Sequence, residues 1–213
     1  ALFIGIDQEP ICIAYAAQRI CEQELSNALV LPRGAASLPQ LFAAGEIDAI
    51  TINFPTPQPK AKYAKKRLVH VDHLMLYRPL FAAGATVTLR TDSKPLRDYA
   101  LGQFAAAGYD TLWVSDDVRR DHPEHPETEY ECRYGICATP GAQPSNEQLT
   151  AGRMQEQSLA CYLPDNLDGL TYVPLGMEEA VENFRNRARK GKKRLPQEPQ
   201  GPLMVAASAN KRK

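Results

Sequence analysis

Short apolar runs of strand length alternate with segments of helical periodicity along most of this chain. The run ALFIGID at 1–7 leads into the segment at 9–25, whose apolar residues recur at helical spacing. The other predicted strands cover 27–32, 47–54, 85–92 and 111–117, and the other predicted helices cover 37–45, 71–84 and 94–108. Repeated β-α units predict an α/β fold with a Rossmann-like sheet, mostly parallel and covered by helices on both faces.

The length and charge of the chain limit the classes of protein that it can form. Its 213 residues, 44% of them hydrophobic, suffice for one globular core but not for two large ones. Because 25 basic and 25 acidic residues balance, any affinity for nucleic acid must come from local patches. No apolar run reaches bilayer length and no leader pattern opens the sequence, so we expect a soluble, cytoplasmic protein without a membrane partner.

Cysteines and histidines form no disulfide framework and no metal-binding motif in the sequence. The cysteines are scattered, and we expect them to be reduced and mostly buried. They are Cys12, Cys21, Cys132, Cys137 and Cys161. The histidines form two pairs, His70/His73 and His122/His125, and either pair could bind a metal if further ligands converged. We predict no metal site, because neither pair has an obvious carboxylate or thiol partner nearby in sequence and prolines interrupt the second pair.

Polar residues follow the predicted strands at the edge where α/β sheets bind ligands. Asp7 ends the first strand, the stretch NFPTP at 53–57 follows the third, and Asp92 follows the fourth. The stretch TEYE at 128–131 comes after the fifth. Any one of these acids, taken alone, is more simply explained as a helix cap or an acidic loop residue. Their shared place at the strand ends favours a ligand site, in which Asp7 can accept hydrogen bonds from a ribose.

A proline-pinned turn runs directly into a basic strip. Prolines stand at positions 55, 57 and 59, and five positive charges then fall within positions 60–67. Prolines fix the backbone of such a turn, and closely spaced lysines and arginines suit a phosphate backbone. The alternative is that these charges form only a solvated helix face.

Four collinear motifs carry a resemblance to a known family. They are FIGID, INFPTPQPKAKYAKKRL, LRTDSKPLRDYAL and PETEYE. In this order and with similar spacing, they resemble the bacterial tRNA (guanine-7-)-methyltransferase family over about residues 2–137. The resemblance implies an enzyme with S-adenosylmethionine as methyl donor and a guanine of tRNA as acceptor.

The resemblance also implies roles for particular residues. Asp7 corresponds to the acid that holds the ribose of the donor. The other positions implied at the donor are Gly34, Ala35, Asn53, Pro55 and Thr56. The positions implied at the acceptor are Lys60, Asp92, Thr128 and Glu131, with Asp92 and Glu131 as the catalytic carboxylates. The positions implied to bind RNA phosphates are Lys62, Lys65, Lys66 and Arg67.

The sequence departs from the family pattern at the donor side. Thr56 stands where the family has Asp, Gln58 where it has Trp, and Gly34 where it has an Asp that binds adenine. No glycine-rich GxGxG loop occurs in the 213 residues. A sheet without its central strand would leave two unpaired edges, so we expect the sequence to belong to a longer chain, or another segment or protomer to supply that strand.

Two other functions remain open from the sequence. Thr56, Gln58 and Gly34 fit a degenerate relative that binds tRNA without catalysis. An unrelated nucleotide-binding enzyme such as a dehydrogenase is the third hypothesis, against which the absent phosphate-binding glycines also count.

The domain boundaries follow from where the resemblance ends. We expect a methyltransferase-like domain at 1–162 and a C-terminal extension at 163–213. The extension has seven basic residues at 185–194, which form either an RNA-contacting appendage or a solvated tail. The sequence does not specify the oligomeric state.

Overall fold

The computed structural model describes residues 1–125 and 134–159, which fold into two β-sheets with helices packed against them. The strands are β1 (Phe3–Asp7), β2 (Ala28–Pro32), β3 (Ile47–Asn53), β4 (Phe81–Thr91), β5 (Tyr109–Ser115) and β6 (Tyr134–Pro140). The helices are α1 (Pro10–Glu22), α2 (Leu38–Leu41), α3 (Val71–Tyr77), α4 (Lys94–Ala106), α5 (Val118–Asp121) and α6 (Asn146–Met154). Short 3-10 helices cover Ala35–Ser37, Ala61–Lys66 and Arg78–Leu80. None of the helices in these residues is long and apolar enough to cross a membrane.

The strands confirm the predicted α/β class. β1 and β2 form a parallel pair, and the second sheet has the order β3-β4-β6-β5. β3 and β4 are parallel, whereas β6 runs antiparallel to both of its neighbours. The predicted strands and helices up to β5 are present, but β6 was not predicted. Its run Ile136-Cys137-Ala138 is buried between two strands, and a run this short gives little periodic signal.

The two sheets are separate in the described residues. β1 pairs only with β2, and β3 pairs only with β4, so each has one edge without a partner strand there. A complete sheet built from these residues would have contradicted the expectation of a missing central strand. No such sheet forms within 1–125 and 134–159.

The core lies between the four-stranded sheet and helices α3, α4 and α6. Leu74, Leu89, Phe104 and Ile136 are fully buried in it. Gln103 joins the three helices, because its Oε1 accepts from the Val71 N–H at 2.7 Å and its Nε2 donates to the Gly152 carbonyl at 2.8 Å. Such paired buried amides favour one packing arrangement of the helices.

The helix predicted at 71–84 ends earlier than expected. α3 stops at Tyr77, a 3-10 turn follows, and β4 begins at Phe81. Pro79 has no N–H to continue the helical hydrogen bonds. Gly84, expected to close the helix, has φ of 76° and lies where the β3–β4 register is irregular.

The β1–α1–β2 unit has little burial of its own. The first buried residue along the chain is Leu38, and α1 has none. Its large exposed apolar side chains are Leu2, Phe3, Ile11, Tyr15, Leu25 and Leu29. This unit therefore has far less hydrophobic stabilisation than the core around β4.

We predict a difference in amide hydrogen exchange between the two sheets. The β1 and β2 amides should exchange at least about a hundredfold faster than those of β4 and β6, because local opening costs less where few apolar contacts are lost. Exchange followed by mass spectrometry measures this directly. Equal protection of both sheets would show that β1–α1–β2 is packed as firmly as the core.

Candidate functional site

Asn53 and Asp92 lie at the same edge of the four-stranded sheet. β3 and β4 are parallel, with Asn53 paired to Arg90, and the Phe54 N–H donates to the Arg90 carbonyl at 2.8 Å. Asp92 is half-buried and directly follows β4. The Ser93 hydroxyl accepts from the Leu96 N–H at 3.3 Å and so caps α4. The chain around Asp92 is therefore fixed by the start of a helix.

A second set of predicted residues lies at the carboxyl edge of the β1–β2 pair. Asp7 is paired with Pro32, and its Oδ1 accepts from the Glu9 N–H at 2.8 Å. Gly34 precedes the 3-10 helix that begins at Ala35, and a Cβ on Gly34 would lie 2.2 Å from Gln8 Nε2. A larger residue at this position would therefore displace the exposed Gln8 side chain.

The proline turn is an ordered loop with two unusual backbone conformations. Phe54 has φ of 46° and Gln58 has φ of 48°, in the left-handed region that side chains disfavour. Each costs on the order of 1 kcal/mol. Pro57 between them is buried, whereas Thr56 is exposed and Pro55 is half-buried. Contacts from outside the loop must stabilise this shape.

Arg67 provides those contacts from inside the protein. It is only 1% exposed. Its Nε donates to the carbonyls of Pro57 and Gln58 at 3.2 Å, and its Nη2 donates to Gln58 at 2.8 Å. Nη2 also donates to the Gln157 carbonyl, and the guanidinium lies 4.4 Å from the centre of the Tyr99 ring. Predicting Arg67 as an RNA contact was wrong, because its guanidinium is buried against backbone carbonyls.

The lysines of the basic strip are oriented differently from Arg67. Lys62, Lys65 and Lys66 are exposed, and Lys60 is half-buried at the start of the 3-10 helix Ala61–Lys66. The ammonium groups of Lys62 and Lys66 lie 4.8 and 5.1 Å from the centre of the Tyr63 ring. Three lysines thus present positive charge to solvent beside the proline turn.

An ion pair that the sequence did not predict connects α4 with the end of β5. Arg97 donates to Asp116 Oδ1 and to Asp98 Oδ1, each at 2.7 Å. Its side chain is 8% exposed, and its guanidinium lies 5.3 Å from the Tyr134 ring centre. An arginine in a helix and an acid after a strand are too common in sequences to indicate such a pair.

The cysteines differ from the prediction. Among the described residues, Cys12 and Cys21 are exposed free thiols and Cys137 is buried, so the expectation of burial was wrong for Cys12 and Cys21. Both exposed thiols lie on α1, a helix without any buried residue in the described structure. Cys132 and Cys161 lie outside the described residues, as do Thr128 and Glu131.

The two histidine pairs have different surroundings. His70 is fully buried, its Nδ1 accepts from the Asp72 N–H, and burial lowers the pKa of its ring. Burial also lowers the pKa of His73. In the second pair, His122 Nδ1 lies 3.1 Å from Glu124 Oε1. His70 Nδ1 also lies 3.5 Å from Asp72 Oδ2, so the expectation that neither pair has a nearby carboxylate partner was wrong for both pairs.

Comparison with protein families identifies the family of this chain. The model of a family described as "Putative methyltransferase" matches residues 1–135, which include both sheet edges and the basic strip. The chain belongs to this methyltransferase family. Its residues 126–133 fall within the match but outside the described structure.

Individual relatives are similar over the same region. The chain is 32% identical over 133 residues to a tRNA (guanine-N(7)-)-methyltransferase of Streptococcus equi subsp. zooepidemicus, covering 62% of this chain and 63% of the relative. It is 35% identical to a protein of the same name from Geobacillus thermodenitrificans, covering 62% of each chain. The chain thus spans less than two thirds of the length of these relatives.

Among solved structures, the chain is similar to an S-adenosylmethionine-dependent O-methyltransferase from Thermotoga maritima. The TM-score is 0.44 with 12% sequence identity, covering 68% of this chain and 52% of the other. A likeness of this size supports no inference about function.

We predict that Arg67→Met destabilises the protein, whereas Lys66→Met does not. Removing the guanidinium leaves buried carbonyls of the proline turn without their donor, at a cost of about 2–4 kcal/mol. Lys66 is exposed and adjacent, so its loss should change the free energy of unfolding by less than about 0.5 kcal/mol. Urea unfolding of both variants measures this. Equal effects would mean that Arg67 does not anchor the turn.

Proposed function

We propose that this protein transfers a methyl group from S-adenosylmethionine to nitrogen 7 of a guanine in tRNA. The observation that carries the proposal is the placement of Asp92 and the lysine-bearing proline turn at one sheet edge, inside the region shared with the methyltransferase family. Relatives named tRNA (guanine-N(7)-)-methyltransferase support the choice of substrate. Their names also favour an active enzyme over a degenerate tRNA-binding protein.

The residues at the β1–β2 edge fit part of the methyl donor. Asp7 uses Oδ1 for the Glu9 N–H, and its other carboxylate oxygen can accept from a ribose hydroxyl. Gly34 and Ala35, at the neighbouring strand end, would lie beside the adenine. Asn53, Pro55 and Thr56 would form the facing wall. When bound, S-adenosylmethionine supplies an electrophilic methyl group.

Asp92 is proposed to orient the acceptor guanine. Nitrogen 7 of guanine has a free lone pair at neutral pH, so no general base is needed and positioning dominates. A carboxylate at Asp92 can accept from the ring N–H and the exocyclic amine, which adenine does not offer in the same pattern. It also stabilises the positive charge that the ring gains. Lys60, Thr128 and Glu131 are proposed to share this role.

The exposed lysines are proposed to bind the tRNA backbone. Lys62, Lys65 and Lys66 point into solvent from the segment that follows the proline turn. Phosphate contacts at these positions would position the RNA without reading its sequence. The turn anchored by Arg67 would then link the RNA surface to the reaction site.

The separation of the two sheets supports the proposal of an additional strand between them. β1 and β3 each lack one partner strand in the described residues, and the exposed apolar side chains of β1–α1–β2 need cover. We propose that a strand from outside these residues joins the two sheets and completes the donor site. The domain at 1–162, its extension at 163–213 and action in the cytoplasm belong to the same proposal.

We predict that Asp92→Asn lowers the rate of methyl transfer to tRNA by about a hundredfold, because the developing charge loses its carboxylate. Binding of S-adenosylmethionine should be unchanged. Transfer of radiolabelled methyl groups to tRNA gives the rate. Asp48→Asn is the matched control, since Asp48 is exposed on β3 far from its carboxyl end. Equal rates of methyl transfer in both variants would show that Asp92 does not take part in the reaction.

We predict that replacing Lys62, Lys65 and Lys66 together by Gln lowers the affinity for tRNA. The replacement should also make that affinity less dependent on salt concentration. Each lost phosphate contact should reduce the slope of log affinity against log salt by about 1. Arg120→Gln serves as control, because Arg120 is an exposed base on α5 that pairs with Asp121. Filter binding at several salt concentrations measures the slope. An unchanged slope in the triple variant would show that these lysines make no contact with RNA phosphates.

A further inference from the structure

A tight turn after α5 gathers two imidazoles and a carboxylate. The His125 N–H donates to the His122 carbonyl at 3.1 Å, so these residues are the ends of a hydrogen-bonded turn with Pro123 in its second position. Glu124 is the third residue of the turn. Ligand atoms of His122, Glu124 and His125 all lie within 4.8 Å of one another.

The turn is held against the sheet by the only tryptophan of the sequence, Trp113 on β5. The His122 ring stacks on the Trp113 ring with centroids 4.0 Å apart and planes 26° apart. The His125 ring lies 5.8 Å from Trp113. Trp113 itself packs against Gly135 of β6, where a Cβ would lie 2.9 Å from the indole. The His122 ring is therefore packed on a half-buried indole of the sheet.

The three groups match the ligands of a divalent transition metal. Two imidazoles and one carboxylate form a well-known ligand set for Zn²⁺, with the fourth position left to water. Metal–ligand bonds of about 2.1 Å place tetrahedral ligands roughly 3.4 Å apart. The 3.1 Å between His122 Nδ1 and Glu124 Oε1 is already close to that value. The ligand atoms of all three residues are at most 4.8 Å apart, so binding an ion would require side-chain rotation that brings them closer.

We propose that His122, Glu124 and His125 form a binding site for a divalent transition-metal ion of the Zn²⁺ type. None of these three residues is among those proposed above for methyl transfer, and all three follow α5. A bound ion would hold the turn after α5 against Trp113 and raise the stability of the folded protein.

Trp113 makes the site observable in untagged protein. Ni²⁺ should quench the fluorescence of Trp113 in a saturable titration with one ion per chain, and Zn²⁺ should compete with it. His125→Ala and Glu124→Gln should each raise the dissociation constant by about tenfold or more. Glu124 is exposed, so Glu124→Gln is expected to fold normally and tests the site even where His125→Ala is unstable.

Exposed thiols are the main competing ligands for these ions. Cys12 and Cys21 on α1 are exposed and free, so the double variant Cys12→Ser/Cys21→Ser is the matched control. Its titration should equal that of the unchanged protein. The proposal is overturned if quenching does not saturate, if neither His125→Ala nor Glu124→Gln weakens it, or if the serine variant abolishes it.

Discussion

The buried guanidinium of Arg67 is the interaction on which the candidate site depends. It donates to carbonyls of the proline turn and of Gln157, and it stacks on Tyr99 of α4. Arg67 thereby links the proline turn to a segment that lies 90 residues further along the chain. A turn with two left-handed residues and few N–H groups has little means of holding its own shape. Arg67 supplies the missing donors from the core.

The two sheets give the proposed site unequal support. Asp92 and the proline turn rest on β3 and β4, whose strands pack on a buried helical layer. Asp7 ends β1 and Gly34 follows β2, two parallel strands neither of which has a buried residue. The proposed acceptor side is thus built on the buried core, whereas the proposed donor side would gain the same order from the further strand proposed above. Functional residues on a rigid scaffold keep their geometry more closely.

Periodicity in the sequence was enough to predict most of the fold, because β-α units repeat with clear stops such as Gly108. It failed for β6, which is short and buried between two strands, and for the end of α3, where Pro79 interrupts the pattern. Positions at strand ends, such as Asp7 and Asp92, could be predicted because strand direction determines them. The burial of Arg67 could not, because a charge pattern does not tell which base turns inward.

The most direct measurement is the position of the transferred methyl group. tRNA would be incubated with the protein and isotopically labelled S-adenosylmethionine, digested to nucleosides and analysed by mass spectrometry. We predict that the label appears in 7-methylguanosine. Label in a different nucleoside, or no label in tRNA that the protein demonstrably binds, would contradict the proposed reaction.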